Sequence, residues 1–173
     1  KFINKFKSLR KPSKFELVNG CDIIYWYNKD NYANTIGTLG NSCMSYERCA
    51  SYLEFYSKNK HKVSLLILKD RLDDSKIIGR ALVWKLDDPE NRIFMDRIYT
   101  NNDFDIESFK DYAKKEGWLY KSNQDMYSTT LIVDSLNDKT TYISLCVNDI
   151  NDNDEYPYMD TLKFYDYNNG ILT

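Results

Sequence analysis

Three runs of hydrophobic residues in the middle of the chain are bounded by polar turns and predict consecutive β-strands. The runs span Val63–Asp70, Lys76–Asp87 and Asn91–Thr100. The segment Arg-Leu-Asp-Asp-Ser between the first two is typical of a turn, so these two runs should form a hairpin. Charged residues interrupt the second and third runs, so both predicted strands carry charges among apolar residues.

Two other segments show the 3.6-residue period of an amphipathic helix. The first runs from about Ser45 to Lys58, and Asn41, Ser42 or Ser45 can cap it. Its apolar positions recur at intervals of three and four residues and are Tyr46, Cys49, Ala50, Leu53 and Tyr56. One apolar face is therefore available to cover a sheet.

The second helix is predicted from about Asp105 to Glu116, with Asp103 or Asp105 as its cap. Gly117 should end it, because glycine readily adopts the left-handed conformation that follows a helix. The apolar stripe of this helix consists of Ile106, Phe109, Tyr112 and Ala113.

Shorter apolar segments flank this centre on both sides. Asp22–Tyr27 fits either a strand or a buried helical turn, and the Asn- and Gly-rich stretch after it predicts a loop. Strands are predicted at Trp118–Ser122, Thr129–Leu136 and Thr141–Asn148, whereas Asp160–Tyr167 fits an edge strand or a short helix. The order helix, hairpin, strand, helix, strand, strand predicts an α/β (α+β) fold with a mixed, largely antiparallel sheet flanked by helices.

The length of 173 residues suits one domain, to which we assign residues 15–173. Residues 1–14 form a basic N-terminal arm with six Lys or Arg and no acid. This arm is either simply solvated or contacts a nucleic-acid backbone. The net charge of −2 gives the chain no overall basic character. No apolar run approaches the roughly 18 residues of a membrane span, so no membrane partner is expected.

Metal binding is not expected from the ligand inventory. The four cysteines follow no Cys-x-x-Cys spacing, and His61 is the single histidine. We interpret the cysteines as free thiols of a cytosolic protein. Asp149–Asp160 places oxygen-bearing side chains at calcium-loop offsets, but Asp154 stands where that loop needs glycine. Ordinary turn chemistry accounts for the same residues.

A glycine-rich stretch, "GTLGNSC", brings Cys43 to the predicted start of a helix. Cysteine proteases present their nucleophile in this way, and a helix N-terminus favours the thiolate. Catalysis needs a base beside the sulfur, yet His61 lies at the far end of the predicted helix, roughly 27 Å away. We therefore interpret Cys43 as a thiol of raised reactivity and not as a hydrolase nucleophile.

The charged residues within the second and third strands form a candidate ligand site. By the period of two, Arg80 and Trp84 share one face of their strand, and Asp96 and Ile98 share one face of theirs. If the two faces coincide, Arg80 and Asp96 pair across the sheet, which is a structural ion pair in the simpler interpretation. In the functional interpretation, a polar cleft binds a ligand carboxylate or phosphate. Its residues are Arg80, Trp84, Asp96 and Arg97.

The element order resembles the GNAT N-acetyltransferase fold, in which a helix pair precedes a hairpin, and a strand and helix then bind the pyrophosphate of acetyl-CoA. The resemblance implies that Asn101 and Asn102 shape the pyrophosphate turn and that a tyrosine such as Tyr142 is the general acid. The segment that should carry the family's Arg-x-x-Gly-x-Gly/Ala loop has neither arginine nor glycine. Asp103 and Asp105 stand there instead, and their charge opposes a phosphate group.

Several blocks are similar, in the same order, to an uncharacterised family of proteins from tailed phages and related large viruses. They include "GTLGNSCM", "GRALVW", "FMDRIYT" and "YPYMDT". The resemblance implies a viral origin and a setting in the host cytoplasm, and it implies no activity.

Three functions remain open at this point. The leading one is a non-catalytic viral accessory or host-interaction protein, without a cofactor, that binds a host or viral protein through an aromatic and charged cleft. The absence of a catalytic triad, a phosphate loop and a metal set favours it. The second is a GNAT-like N-acyltransferase that uses acetyl-CoA through an atypical loop. The third is an RNA-binding protein that combines residues 1–14 with exposed aromatic side chains.

Overall fold

The computed structural model describes residues 14–124, 132–137, 139–141, 143, 145–147, 161–162 and 164–173. Three features of the sequence therefore lie outside the described residues: nearly all of the basic arm, the calcium-like segment 149–160, and Tyr142.

Within the described part of the chain, seven strands form one sheet whose order follows the sequence. All neighbouring strands are antiparallel except β4 and β5, which are parallel. The strands are β1 (Phe15–Val18), β2 (Val63–Lys69), β3 (Ile77–Lys85), β4 (Ile93–Thr100), β5 (Leu119–Lys121), β6 (Ile132–Asp134) and β7 (Thr140–Thr141). A smaller sheet has the order β8 (Leu145–Cys146), β10 (Ile171–Leu172), β9 (Tyr165–Asp166).

Helices cover both faces of the large sheet. They are α1 (Cys21–Tyr27), α2 (Gly37–Gly40), α3 (Ala50–Lys58) and α4 (Phe104–Glu116). Side chains from α1, α2 and α3 pack in one apolar cluster and those of α4 in another, on opposite faces of β2 and β3. Burial on both faces explains why the run in β2 is apolar throughout and does not alternate. The predicted α/β fold, a mixed and largely antiparallel sheet flanked by helices, is confirmed.

The helix predicted from Ser45 is shorter than its apolar pattern suggested. Two 3₁₀ turns, Cys43–Ser45 and Glu47–Cys49, precede α3, and Tyr46 between them has an extended backbone with φ −85° and ψ 144°. Because the helical period does not continue through that point, Tyr46 and Ala50 are exposed although the pattern placed them on the apolar face.

The helix predicted around Asp105 agrees with the structure. Phe109 and Ala113 are buried against β3 and β4, and Gly117 ends α4 in the left-handed conformation with φ 71°. Asp103 occupies the N-cap position, although its side chain makes no capping hydrogen bond.

Short elements at the ends of the chain were harder to predict. The ambiguous segment Asp22–Tyr27 lies within helix α1, and strand β1 had no prediction. The single strand predicted at Thr141–Asn148 is wrong, since β7 belongs to the large sheet and β8 to the small one. Strand β8 pairs with β10, which follows it by more than twenty residues, so its boundaries depend on a distant partner. Among the described helices, none has the length and apolar character needed to cross a membrane.

Gly37 is required by a close backbone contact, and its replacement tests the packing of α2 on β4. It has φ +65°, and a Cβ atom there would lie 2.4 Å from the carbonyl oxygen of Thr100. Gly37→Ala should therefore lower the free energy of unfolding by several kcal/mol, roughly 3 or more, measured by urea denaturation.

Gly20→Ala is the matched control. Gly20 has nearly the same dihedral angle, φ +59°, but nothing lies within 4 Å of the added methyl group. With ψ −133°, Gly20 lies outside the left-handed helical region, so its replacement should cost only a conformational term of about 1–3 kcal/mol. Equal losses of unfolding free energy in the two variants would show that the close contact between Gly37 and Thr100 does not decide the cost.

Candidate functional site at the end of strand β4

Strand β4 contains an extra residue relative to its partner β3. Ala81 pairs with Ile98, but the next pair joins Val83 to Met95, so two residues of β4 lie opposite the single residue Leu82. Such a β-bulge leaves backbone groups unpaired and changes the direction of the side chains around it. The charged pair Asp-Arg at positions 96 and 97 occupies this bulge.

The bulge also interrupts the alternation of faces on which the sequence prediction relied. Phe94 packs in the cluster under α1–α3, whereas Ile98 packs in the cluster under α4. Tyr99, directly opposite Arg80, returns to the first cluster. The predicted cross-strand pair between Arg80 and Asp96 is therefore wrong, because Arg80 meets Tyr99 instead.

Arg80 lies in a buried cage of tyrosines and is only 1% exposed. Its guanidinium carbon is 3.7 Å from the ring centroid of Tyr27 and 4.8 Å from that of Tyr99. Its Nη2 donates a hydrogen bond to Ser42 Oγ at 2.7 Å. The Tyr32 hydroxyl, which donates to the carbonyl oxygen of Tyr27 at 3.0 Å, favours the charged form of the guanidinium and so raises its pKa.

The charge of Arg80 is compensated by aromatic rings and hydroxyls alone within the described residues. No described carboxylate forms an ion pair with it, and its Nε has no hydrogen-bond partner. Burial lowers the pKa of the guanidinium, while Tyr27, Tyr32 and Tyr99 raise it; the net direction is upward, so the side chain stays cationic. Desolvation of an ion costs several kcal/mol, whereas a buried cation–π contact returns about 2.

A second arginine reaches the same aromatic ring from a more accessible position. The guanidinium carbon of Arg97 is 4.9 Å from the centroid of Tyr99, and the side chain is half-buried. One tyrosine ring therefore lies between a fully buried cation and one that reaches the surface. Together, Arg80, Arg97 and Tyr99 form an electropositive site that we call the arginine–tyrosine cluster.

Asp96 and Trp84 play different parts from those predicted. Asp96 is 3% exposed, and its Oδ1 accepts hydrogen bonds from Thr161 Oγ1 and from the backbone N–H of Arg97, both at 2.7 Å. This carboxylate holds the bulge in place. Trp84 is fully buried against Tyr56 in the core, so it does not line a cleft.

Strands β4 and β5 separate soon after they meet. The parallel pairing is limited to Phe94 with Leu119 and Met95 with Tyr120, whereas β4 continues to Thr100. Beyond that point the edge of β4 that faces β5 is closed by a side chain. The Oε1 atom of Gln124 accepts a hydrogen bond of 2.6 Å from the backbone N–H of Ile98.

The loop around α2 is tied to the end of β4 by side-chain hydrogen bonds. Thr38 Oγ1 accepts from the backbone N–H of Thr100 at 2.9 Å. The amide nitrogen of Asn101 donates to the carbonyl oxygens of Asn34 and Ile36 at 2.8 and 3.0 Å. Asn101 thus anchors this loop over the sheet, whereas its neighbour Asn102 is exposed.

The N-terminus of α4 combines acidic side chains with backbone amides that have no side-chain cap, although the N–H groups of Asp105 and Ile106 donate to the carbonyl oxygens of Asn102 and Asp103. Asp103 makes no side-chain cap, and Asp105 and Glu107 lie in the first turn. Burial raises the pKa of Asp105, partly offset by Arg71 and by a hydrogen bond with Asn102. For the pyrophosphate of acetyl-CoA, the backbone of this turn is a suitable donor set, but the carboxylates weaken the attraction.

Cys43 and His61 do not form a catalytic pair. Cys43 is exposed in the 3₁₀ turn next to Ser42, and His61 is exposed in the turn beyond α3, where it acts electrostatically on Asp87. The sulfur therefore has no imidazole base beside it. The described residues also contain no group of three or more His, Cys, Asp or Glu side chains arranged to hold a metal ion.

The residues around Arg80 were not predicted as a group. Ser42, Tyr27 and Tyr32 come from segments that precede Arg80 by about forty to fifty residues, and only the fold brings them together. The high tyrosine content was the one feature of the sequence that relates to this aromatic surrounding of Arg80.

Asn101→Ala tests whether Asn101 anchors the α2 loop. The variant loses two part-buried hydrogen bonds and leaves two carbonyl oxygens without that donor, so the free energy of unfolding should fall by about 1–3 kcal/mol in urea denaturation. Asn102→Ala, at the exposed neighbour, should change it by no more than about 0.5 kcal/mol. Similar small changes in both variants would show that the anchor contributes little.

Comparisons with known proteins add little to this site. No protein-family model matches the chain, and no curated protein matches it. Among solved structures, the chain is similar to a ribosomal-protein-alanine N-acetyltransferase from Brucella melitensis biovar Abortus 2308, with a TM-score of 0.38 and 14% identity. The match covers 64% of this chain and 77% of that one. At this identity and TM-score the similarity carries no statement about function.

Proposed function

We propose that the protein is a GNAT-like N-acyltransferase with an atypical acetyl-CoA loop. The observation that carries the proposal is the short pairing of β4 with β5, because among the described residues it leaves the end of β4 without a strand partner on that edge, directly before the N-terminus of α4. An acyl-CoA needs both features in one place, a groove for its thioester arm and the backbone amides of a helix N-terminus for its pyrophosphate.

The backbone of β4 supplies the donor that acyl transfer requires. When an amine attacks a thioester carbonyl, negative charge develops on the oxygen, and an N–H group directed at that oxygen lowers the barrier. The N–H of Ile98 points into the space between β4 and β5, as its hydrogen bond to Gln124 indicates. In this proposal Gln124 holds that donor until the carbonyl oxygen replaces it. Tyr142 stays the predicted general acid and lies outside the described residues.

The acidic first turn of α4 lowers the affinity that we expect for acetyl-CoA. Asp103, Asp105 and Glu107 would face the pyrophosphate, where like charges oppose binding. We therefore expect acetyl-CoA to bind more weakly than it would with a neutral loop.

A second candidate function is favoured by the same two observations. If Gln124 closes the edge of β4 permanently and the carboxylates exclude phosphate groups, the site carries no acyl-CoA. The protein would then be a non-catalytic viral accessory or host-interaction protein, acting in the host cytoplasm and binding a protein partner at the arginine–tyrosine cluster. The two candidates make opposite predictions for acetyl-CoA.

Binding of acetyl-CoA decides between the two candidates. At about 100 times its dissociation constant, the ligand should stabilise the protein by roughly 2.7 kcal/mol, which raises Tm by about 5–10 °C. The measurement is a thermal shift titrated with acetyl-CoA and with free CoA. Gln124→Ala, which frees the Ile98 amide, should respond at a lower concentration of acetyl-CoA than the unmodified chain.

If neither the unmodified chain nor Gln124→Ala responds to acetyl-CoA, the acyltransferase proposal is wrong and the second candidate takes its place. A response to acetyl-CoA would direct the next measurement to acetyl transfer onto amines.

The charge of Asp105 gives a second test of the same site. Asp105→Asn removes a carboxylate from the first turn of α4, so the dissociation constant for CoA should fall about two- to five-fold. Asp111→Asn removes the same charge from an exposed position two turns further along the helix and should leave it unchanged. Equal effects would mean that net charge alone, and not the position at the helix N-terminus, decides the affinity.

A further inference from the structure

Arg80 is the most deeply buried charge in the site, and nothing in the acyltransferase proposal uses it. It lies on the face of β3 covered by α1–α3, and the unpaired edge between β4 and β5 belongs to another part of the sheet. Removing one member of a buried ion pair costs several kcal/mol because an uncompensated charge remains. Among the described residues no carboxylate pairs with Arg80, and hydroxyl groups and aromatic rings alone offset its charge.

The guanidinium of Arg80 has one edge with an unused donor, its Nε. Its Nε and Nη2 lie side by side and together present the two parallel N–H donors that bind a carboxylate in a bidentate manner. Ser42 Oγ occupies Nη2 at 2.7 Å, whereas Nε donates to no atom. A carboxylate placed on this edge would take both donors, and the Ser42 hydroxyl would be free to donate to one of its oxygens.

The segment that closes this edge contains little regular structure. Ser42 lies between the four-residue helix α2 and the 3₁₀ turn Cys43–Ser45, which is followed by another 3₁₀ turn. A ligand therefore reaches Arg80 only if this segment opens locally, against the hydrogen bonds that tie the α2 loop to β4. Arg97 is half-buried and contacts the same Tyr99 ring as Arg80.

We propose that Arg80, with Ser42 and the rings of Tyr27 and Tyr99, is a receptor for the carboxylate of a small ligand. The ligand is either a free small acid or the terminal carboxylate of a peptide. A carboxylate suits the site better than a phosphate group does. Its single charge balances the single buried cation, whereas a phosphate dianion would bring an excess charge into a buried site. The planar pair of oxygens also matches the side-on edge.

Small carboxylates test the proposal on the unmodified chain, without any variant. Tm should rise in a saturable manner with sodium acetate, and not with sodium chloride at the same ionic strength. N-acetylglycine and N-acetylglycinamide form a matched pair that differs only in the carboxylate. Binding of acetate alone indicates a free small acid, and binding of N-acetylglycine at least as tight as that of acetate indicates a peptide terminus.

Variants then assign the binding to Arg80. Arg80→Lys keeps the charge but loses the side-on pair of donors, so the apparent dissociation constant for the carboxylate should rise at least ten-fold. Arg48→Lys is the control, because Arg48 is an exposed arginine that also stacks on a tyrosine ring, that of Tyr46. This variant should bind like the unmodified chain.

A structural role for Arg80 predicts a different set of results. Arg80→Met removes a buried charge that no described carboxylate balances, so under the proposal its ligand-free Tm should equal or exceed that of the unmodified chain. The proposal is overturned if no carboxylate gives a saturable rise in Tm, if inorganic phosphate binds and acetate does not, or if Arg80→Lys binds as tightly as the control. It does not depend on acetyl-CoA, so the acyltransferase proposal can fail while this one stands.

Discussion

The extra residue in β4 is the constraint on which the rest of the site depends. Because Asp96 and Arg97 together oppose one residue of β3, the side chains before and after the bulge change faces. Tyr99 is thereby placed beside Arg80, and the backbone N–H groups of Arg97 and Ile98 are left to side-chain acceptors. A regular β4 would have placed Ile98 where Tyr99 lies, and the buried cation would have had no aromatic partner on that strand.

Two distinct chemistries follow from this single irregularity. On the face under α1–α3 it creates a cationic and aromatic site around Arg80, and at the edge towards β5 it directs a backbone donor into the space where the two strands separate. Asn101 and Thr38 hold the α2 loop over the end of the same strand, so both sites are supported by one rigid element. Functional geometry built on a strand is held more tightly than geometry built on a loop.

Several local features of the site were accessible from the sequence. The strands β2, β3 and β4 and the helix α4 were predicted because their apolar runs and stripes are long enough to average over single exceptions. Arg80 and Asp96 were identified as unusual because a charge within an apolar strand has to be compensated. Their predicted pairing failed because strict alternation assumes a regular ladder, and one added residue inverts it.

The sequence by itself therefore determined the class of fold, the order of its central elements and the presence of buried charge in two neighbouring strands, since each follows from local periodicity. The tertiary structure alone decided what compensates that charge. Ser42, Tyr27 and Tyr32 meet Arg80 across some forty to fifty residues of chain, and Gln124 and Thr161 reach β4 from still other segments. Contacts of this kind depend on register, on the bulge and on how loops close over the sheet, and none of these leaves a periodic signal in the chain.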